Sequence, residues 1–228
     1  MIITIDGPAA TGKTSVSRQV AKRLHFIYFD TGAMYRAFTW FFLKSQIAME
    51  QIEEIKKLVD QFPFRIETKE HSKRYFVGDK DVTEEIRSHL VTSYVSEISA
   101  MDCVRSKLLD IQRQCAVQGD FVFEGRDLGT VVFPQAEVKI FLTADPHIRA
   151  ERRLAELLVQ YPKEEMELAK QSMLAELLRR DRYDSNRSNA PLKCPPDAYK
   201  IDTSTLSSDE VVDQIIQFTA KKYPEKIP

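Results

Sequence analysis

Residues 2–14 constrain the fold more than any other part of the chain. A β-branched run ends at Asp6, a loop with a glycine at each end follows, and an amphipathic segment continues to Leu24. The loop has the spacing G-x-x-x-x-G-K-T, in which backbone N–H groups surround an anion that also faces the positive end of the next helix. The sequence therefore predicts a strand, loop and helix that hold the phosphates of a nucleoside triphosphate.

The last two loop residues have separate expected roles. Lys13 is expected to reach the outer phosphates, and the Thr14 hydroxyl is placed to bind a magnesium ion. The alternative interpretation is a glycine-rich turn with a structural role alone. The loop residues predicted to bind ATP are Gly7, Pro8, Ala9, Ala10, Thr11, Gly12, Lys13 and Thr14.

Composition limits the class of partner. The chain has 228 residues, a net charge of −1, and 43% hydrophobic and 29% charged residues, which suits one elaborated α/β domain. The balanced charge gives no basic field for nucleic acid, and no apolar run approaches membrane-spanning length. Three scattered cysteines without C-x-x-C spacing argue against a disulfide framework or a zinc site. We therefore expect a small-molecule partner and a cytoplasmic protein.

Apolar runs along the chain predict an open α/β sheet. Residues 26–29, 121–123 and 138–142 read as continuous apolar strands, which is typical of a parallel sheet covered on both faces. Two alternating runs at 64–68 and 74–77 instead predict an antiparallel hairpin in an inserted lobe.

Capping residues and apolar spacing predict where helices begin and end. Ser207 and Glu210 form a capping box that opens the final helix. Thr31 and Gly32 are expected to form a turn and cap before another helix. The apolar stripe through residues 94–115 predicts a largely helical segment.

Charged side chains cluster where predicted strands end. Arg36 follows the second strand, and Arg126 and Asp127 lie between two glycines after the strand at 121–123. Ligands bind at this edge of open α/β sheets. Either Asp127 or the nearby Glu124 could also stand near the magnesium ion, as a Walker-B carboxylate does.

Two further groups of arginines fall on predicted helices. Arg149, Arg152 and Arg153 share one helix face, for which salt bridges to Glu151 and Glu156 are the ordinary explanation.

Later in the chain, Arg180, Asp184 and Arg187 fall on one stripe if helical geometry persists. A surplus of arginines suits phosphoryl transfer between two anions. No N-K-x-D motif and no H-R-D-like base is present, and a phosphate monoester acceptor needs no base. These features indicate a nucleoside monophosphate kinase.

Five motifs in order resemble the bacterial cytidylate kinase family, and the resemblance runs from residue 2 to about residue 218. They are I-T-I-D-G-P with the phosphate-binding loop, D-T-G-A-M-Y-R at 30–36, G-R-D-L-G-T-V-V-F-P at 125–134, V-K-I-F-L at 138–142 and R-D-R-Y-D-S-N-R at 180–187. One departure is Glu124, where the family often has Asp, which leaves its role open.

The resemblance implies a fold and an activity. It implies an α/β, P-loop NTPase-type core with a parallel five-stranded sheet flanked by helices, formed by residues 1–36, 105–149 and 188–228. A monophosphate-binding lobe would span 37–104, and a helical lid would span 150–187. The implied reaction is ATP-dependent phosphorylation of CMP and dCMP to CDP and dCDP with Mg²⁺, in a monomer.

The resemblance also assigns roles position by position. The implied catalytic residues are Lys13, Arg126, Arg180 and Arg187. Arg152 would bind ATP together with the loop residues. The implied acceptor-binding residues are Thr31, Arg36, Ser96, Arg105, Arg126, Asp127, Asp184 and Arg187. Of these, Arg36, Arg126 and Arg187 would hold the acceptor phosphate.

The same assignment gives the base-reading set as Ser96, Arg105 and Asp127. Two alternatives to this activity stay open: a kinase for another small acceptor, of the shikimate type, and a non-catalytic ATP-dependent binding module.

Overall fold

The structure, a computed structural model, describes residues 1–69, 72–117, 119–156 and 163–226. The chain divides into two compact units, one formed by Met1–Phe29 with Gln118–Pro228 and the other by Asp30–Val117. The division by role, with a monophosphate-binding lobe at 37–104 and a lid at 150–187, stays a prediction. Residues 157–162 of that lid lie outside the described residues.

The described residues form eight β-strands and eight α-helices. In chain order they are β1 (Ile2–Asp6), α1 (Lys13–Leu24), β2 (Ile27–Asp30), α2 (Thr31–Ser45), α3 (Ile52–Asp60), β3 (Phe64–Lys69), β4 (Ser72–Val77), β5 (Lys80–Asp81), α4 (His89–Ile98), α5 (Asp102–Cys115), β6 (Phe121–Gly125), β7 (Val138–Thr143), α6 (Pro146–Glu156), α7 (Lys163–Asn186), β8 (Tyr199–Asp202) and α8 (Ser208–Lys222). None of the helices in these ranges is long and apolar enough to cross a membrane.

A five-stranded sheet organises the first unit, in the order β2-β6-β1-β7-β8. Strand β1 pairs in parallel with β6 and β7, and β7 pairs in parallel with β8. The predicted fold class is confirmed. In this register Asp6 lies opposite Gly125 on one side and Phe141 on the other. The loops that follow β1 and β6 therefore leave the same edge of the sheet side by side.

Apolar residues on both faces of the sheet form the core of the first unit. Ile3, Ile5 and Ile140 are almost fully buried and pack with residues of α1 and α8, among them Val20 and Ile215. The opposite face is buried as well, where the ring of Phe123 lies 4.5 Å from that of Phe133, so the strands read as continuous apolar runs. This packing fixes where the carboxyl ends of the strands lie.

Local caps set two helix starts. The capping box at Ser207 and Glu210 is confirmed, because each residue accepts a backbone N–H of the other. The predicted turn at Thr31 and Gly32 is wrong: α2 begins at Thr31, and the carboxylate of Asp30 accepts the N–H of Ala33 at 2.9 Å. The N-cap of α2 is therefore Asp30, the last residue of β2. Its carboxylate accepts a backbone N–H group of the first turn that has no partner within the helix.

The second unit contains the predicted antiparallel hairpin, formed by β3 and β4, and β5 adds a third strand. The segment predicted as largely helical over 94–115 is two helices, because Met101 is extended and separates α4 from α5. Ile98 and Leu108 are both buried, so one apolar stripe crosses the break. Apolar spacing alone cannot detect such a corner.

Candidate active site

The loop at residues 7–14, here called the phosphate loop, follows β1 and leads into α1. Gly7 has φ +148° and an added Cβ would lie 2.1 Å from the backbone oxygen of Leu142. Gly12 has φ +86° at the start of α1. A side chain at either position would be strained, because L-residues rarely adopt these φ values. The loop path therefore depends on both glycines.

Lys13 and Thr14 open α1 with their side chains in the site. Lys13 is buried, and its Nζ donates to the backbone oxygen of Pro8. Burial lowers the pKa of Lys13 well below its usual range, and the charge of Arg126 lowers it further. The Thr14 hydroxyl donates to Glu124 Oε1 at 2.9 Å. The loop thus presents a buried cation beside a hydroxyl and a carboxylate.

Asp6 joins the end of β1 to the turn that follows β6. Its two carboxylate oxygens accept the backbone N–H groups of Leu128 at 3.0 Å and Gly129 at 2.8 Å. Asp6 is 1% exposed, and burial raises its pKa to about 6. This carboxylate fixes the turn that carries Arg126 and Asp127. The sequence prediction did not assign Asp6 a role, although its place immediately before Gly7 was the available signal.

Two ion pairs connect this turn with the end of α7. Arg126 Nε lies 3.4 Å from Asp184 Oδ2, and Arg187 Nη2 lies 3.3 Å from Asp127 Oδ1. Arg187 Nε also donates to the backbone oxygen of Ala190 at 2.7 Å. The structure therefore brings together four of the predicted site residues. Arg126 and Asp127 lie in the turn after β6, and Asp184 and Arg187 lie at the end of α7 or directly after it.

Arg180 completes a cluster of cations in the first unit. Burial, followed by the charge of Arg126, lowers the pKa of Arg180 to about 10. Its buried Nε has no hydrogen-bond partner among the described residues. The charges of Arg126 and Arg180 also both lower the pKa of Lys13. Three cations that repel one another across a small space form a site that an anion would stabilise.

Helix α6 places its arginines differently from the prediction. Arg153 pairs with Glu156 at 2.9 Å, as expected. Arg149 is buried and pairs instead with Asp181 at 2.7 Å, so the prediction that it bridges to Glu151 or Glu156 is wrong. Helical spacing identifies neighbours within one helix, whereas this partner comes from α7.

Arg152 contacts the segment after β8. It donates to the hydroxyl of Thr203 at 3.0 Å and to its backbone oxygen at 2.6 Å. The Thr203 hydroxyl in turn donates to the backbone oxygen of Thr11 at 3.1 Å. Arg152, predicted on the ATP side, is thus linked to the phosphate loop through Thr203. Thr203 was missed, although it directly follows a core strand at the ligand-binding edge.

The remaining predicted residues lie in the second unit. Arg36 of α2 donates to the hydroxyl of Thr92 at 2.9 Å, and Ser96 lies one turn after Thr92 on α4. Arg105 of α5 is buried, lies over the ring of Tyr35 at 5.5 Å, and donates to the backbone oxygen of Ser99 at 3.0 Å. Neighbouring residues of α2 thus contact both α4 and α5.

Thr31 is the buried first residue of α2 and so belongs to the same helix as Arg36. Within this unit, the four predicted acceptor residues therefore belong to three helices joined by polar and ring contacts. Their arrangement as a set stays a prediction.

Oxygen donors suited to a magnesium ion stand beside the phosphate loop. The Thr14 hydroxyl and the Glu124 carboxylate are in hydrogen-bond contact, and Glu124 is buried. Mg²⁺ prefers oxygen ligands and is commonly held by one or two protein groups together with substrate phosphates. The residues present fit such an ion, and the longer Glu side chain still reaches Thr14.

Comparisons with known proteins agree on one family. A sequence model of the family described as Cytidylate kinase matches residues 3–221. A cytidylate kinase of Protochlamydia amoebophila (strain UWE25) is 49% identical over 218 residues, which cover 96% of each chain. A cytidylate kinase of Streptococcus pneumoniae (strain 70585) is 45% identical over 214 residues, covering 93% of this chain and 94% of the relative.

One similar solved structure supports the fold alone. The crystal structure of an uncharacterized protein from Eubacterium ventriosum ATCC 27560 has a TM-score of 0.52 at 14% identity. The match covers 97% of this chain and 98% of that one.

Proposed function

Because the chain belongs to the cytidylate kinase family, we propose that it transfers the terminal phosphoryl group of ATP to CMP and dCMP, giving ADP with CDP or dCDP. The observation that carries the proposal is the cluster of Lys13, Arg126 and Arg180 beside the phosphate loop. Carboxylates offset part of this charge, since Asp184 pairs with Arg126 and Glu124 raises the pKa of Lys13. The phosphates of a nucleotide would stabilise the three cations further.

The mechanism is direct, in-line transfer supported by charge. The transferring phosphoryl group passes through a loose transition state whose charge lies on its outer oxygens. Lys13 and Arg180 are proposed to bind those oxygens on the donor side, and Arg126 on the acceptor side. A monophosphate acceptor is already anionic near neutral pH, so no general base is required. Catalysis then consists of positioning and charge stabilisation.

A magnesium ion would be held by Thr14 with Glu124, together with the nucleotide phosphates, and when bound it would neutralise charge on the phosphates. The backbone N–H groups of the phosphate loop would bind the same phosphates. Arg152 would act on the ATP side through the segment after β8, where it contacts Thr203.

The roles of the acceptor-binding residues are proposed one by one. Arg36, Arg126 and Arg187 would hold its phosphate. Ser96, Arg105 and Asp127 would read cytosine, while Thr31 lines the same pocket and Asp184 contacts the sugar and phosphates together with Arg180. This proposal rests on the motif positions.

Cytosine has a distinctive hydrogen-bond pattern that this set of side chains matches. Its exocyclic amino group donates to a carboxylate, and its ring N3 and O2 accept from a hydroxyl and a guanidinium. Uracil would reverse two of these positions, which costs on the order of 1–3 kcal/mol for each buried group left unpaired. The site should therefore discriminate against UMP.

We also propose a cytoplasmic monomer. Cys103, Cys115 and Cys194 are free thiols in the structure, which suits a reducing compartment. Size-exclusion chromatography with light scattering would test the oligomeric state.

A panel of acceptors tests the activity. ATP is offered with CMP, dCMP, UMP, AMP or GMP, and ADP formation is followed in a coupled assay. We expect CMP and dCMP to have kcat/KM values at least about tenfold above UMP. Fastest turnover of UMP or AMP would contradict the proposal. ATP binding without product from any monophosphate would favour the binding-module alternative.

A further inference from the structure

Arg149 is a buried arginine of α6 that joins two parts of the ATP side. Its Nε donates to the backbone oxygen of Ala144 at 3.2 Å, and its Nη1 donates to the backbone oxygen of Ala9 at 3.2 Å. The same Nη1 lies 2.7 Å from Asp181 Oδ2. One guanidinium therefore connects a carbonyl of the phosphate loop with a carboxylate of α7.

The position of this part of α7 matters because Asp181 follows Arg180 in the chain. Arg180 faces repulsion from Arg126, and Arg180 itself lowers the pKa of Lys13. This repulsion opposes the approach of Arg180 to the phosphate loop, and the ion pair of Asp184 with Arg126 offsets part of it. The ion pair of Asp181 with Arg149 of α6, whose guanidinium also donates to the phosphate loop at Ala9, would offset more of it.

We propose that Arg149 and Asp181 are a positioning pair, which holds α7 against the phosphate loop so that Arg180 reaches the phosphates of ATP. Neither side chain touches a reacting atom, and both act through Arg180. The inference rests on the proposed function and gives two residues outside the predicted site a role in ATP binding.

The contacts of Asp181 support this role. Its Oδ2 pairs with Arg149, while its buried Oδ1 has no hydrogen-bond partner in the described ranges. The negative charge of Asp181 also raises the pKa of Arg180. The Asp181 carboxylate therefore interacts with the guanidinium groups of both Arg149 and Arg180.

A second ion pair between the same two helices supplies a matched control. Lys170 of α7 lies 2.9 Å from Glu151 of α6, with side-chain exposures of 39% and 56%. Exposed pairs of this kind contribute little to stability. The variant Glu151→Gln thus removes one α6–α7 ion pair without touching the phosphate loop.

The first experiment compares Asp181→Asn with Glu151→Gln. ATP affinity is measured by isothermal titration calorimetry, and kcat and both KM values by the coupled assay. For Asp181→Asn we expect ATP affinity and kcat each to fall about tenfold. KM for CMP should change less, because Arg36, Ser96 and Arg105 belong to other helices. For Glu151→Gln all values should stay within about twofold. Equal behaviour of the two variants would overturn the proposal.

A double-mutant cycle tests whether Asp181 acts through Arg180. In an Arg180→Ala background, adding Asp181→Asn should change kcat and ATP affinity by less than about twofold, since the group to be positioned is gone. The same tenfold loss in both backgrounds would show that Asp181 acts by another route and would overturn the proposal. Thermal unfolding of each variant separates a positioning effect from a general loss of stability.

Arg149→Lys gives an independent check on the other partner. A lysine keeps the positive charge but cannot span Ala9, Ala144 and Asp181 at once. We expect ATP affinity to fall about as much as in Asp181→Asn. Unchanged ATP affinity in both Arg149→Lys and Asp181→Asn would overturn the proposal that the two residues position α7. The ATP titration needs no acceptor. If the wild-type protein binds ATP but does not phosphorylate CMP, the proposed function fails while the titration still decides the role of the pair.

Discussion

At the scale of single residues, Asp6 shows how a buried carboxylate can organise a site without contacting substrate. Both of its oxygens accept N–H groups from the turn after β6, so the strand before the phosphate loop holds the residues that follow Gly125. Burial raises the pKa of Asp6 from 3.8 to about 6. The folded protein therefore binds this proton more tightly than the unfolded chain does.

The raised pKa of Asp6 has a definite effect on stability. The stability that the raised pKa of Asp6 gives the folded protein is fully present below pH 3.8 and is lost as pH rises through about 6. Relative to Asp6→Asn, which does not titrate, the unfolding free energy of wild type should fall by about 2 kcal/mol between pH 4 and pH 7. Urea unfolding at several pH values measures this difference. Parallel pH curves for the two proteins would contradict the prediction.

The arginines of the two inter-element ion pairs should matter for turnover. Replacing Arg126 or Arg187 with Ala should lower kcat by about 10²-fold or more, because in the proposed mechanism each supplies charge that stabilises the phosphate groups. Arg179→Ala is the matched control, since Arg179 is exposed on the same helix as Arg180. A near-wild-type rate in Arg126→Ala or Arg187→Ala would remove that residue from the site.

Sequence reasoning at this scale found local structure and missed contacts between residues that are distant in the chain. Loop spacing predicted that Lys13 and Thr14 open a helix, which the structure confirms, and their roles in binding stay predictions. Arg149 was assigned to a surface ion pair, yet it is buried against Asp181, which belongs to another helix. Tertiary packing of α6 on α7 decides that contact, and spacing within α6 carries no information about it.

At the scale of elements, the phosphate loop uses its two glycines for different reasons. A Cβ at Gly7 would overlap the backbone oxygen of Leu142, whereas a Cβ at Gly12 would meet nothing within 4 Å. At Gly7 the neighbouring strand β7 leaves no room. At Gly12 the positive φ is the only obstacle.

The same substitution at these two positions should therefore differ in severity. Gly12→Ala should lower the unfolding free energy by about 1–2 kcal/mol, the cost of a left-handed conformation. Gly7→Ala should cost more than about 3 kcal/mol, because β1 and β7 must also move apart. Chemical denaturation of both variants measures the difference, and equal losses would show that the close approach to Leu142 is unimportant.

Helix boundaries were predicted correctly where the residues that set them lie close together in the sequence. The capping box of α8 was found because Ser207 and Glu210 lie three residues apart. The corner between α4 and α5 was missed because the buried stripe continues from Ile98 to Leu108 across it. The extended Met101 that makes the corner has no distinctive neighbour such as Gly or Pro.

At the scale of the whole molecule, the predicted site residues fall in both compact units. Those of the ATP side lie in the unit containing the five-stranded sheet, and Arg36, Ser96 and Arg105 lie in Asp30–Val117. The order of motifs predicted both sets of residues. Which of these residues hold the acceptor stays a prediction, because motif order gives a residue's place in the chain and not its contacts with a nucleotide.

Hydrogen–deuterium exchange should separate the two sets. ATP alone is expected to slow amide exchange in the phosphate loop, because its N–H groups would bind phosphate oxygens. CMP alone is expected to slow exchange at the start of α2 and around the corner at Ser99 in Asp30–Val117, with GMP as the control ligand. Absence of any CMP effect in that unit would contradict the acceptor assignment.

The second unit is one continuous insertion, because the chain leaves the sheet after β2 and returns to it in β6. These two strands are hydrogen-bonded neighbours. A different stretch of polypeptide could therefore be spliced between them without rethreading the remaining strands. Evolution or protein engineering could in this way replace the second unit while the strand order of the five-stranded sheet stays the same.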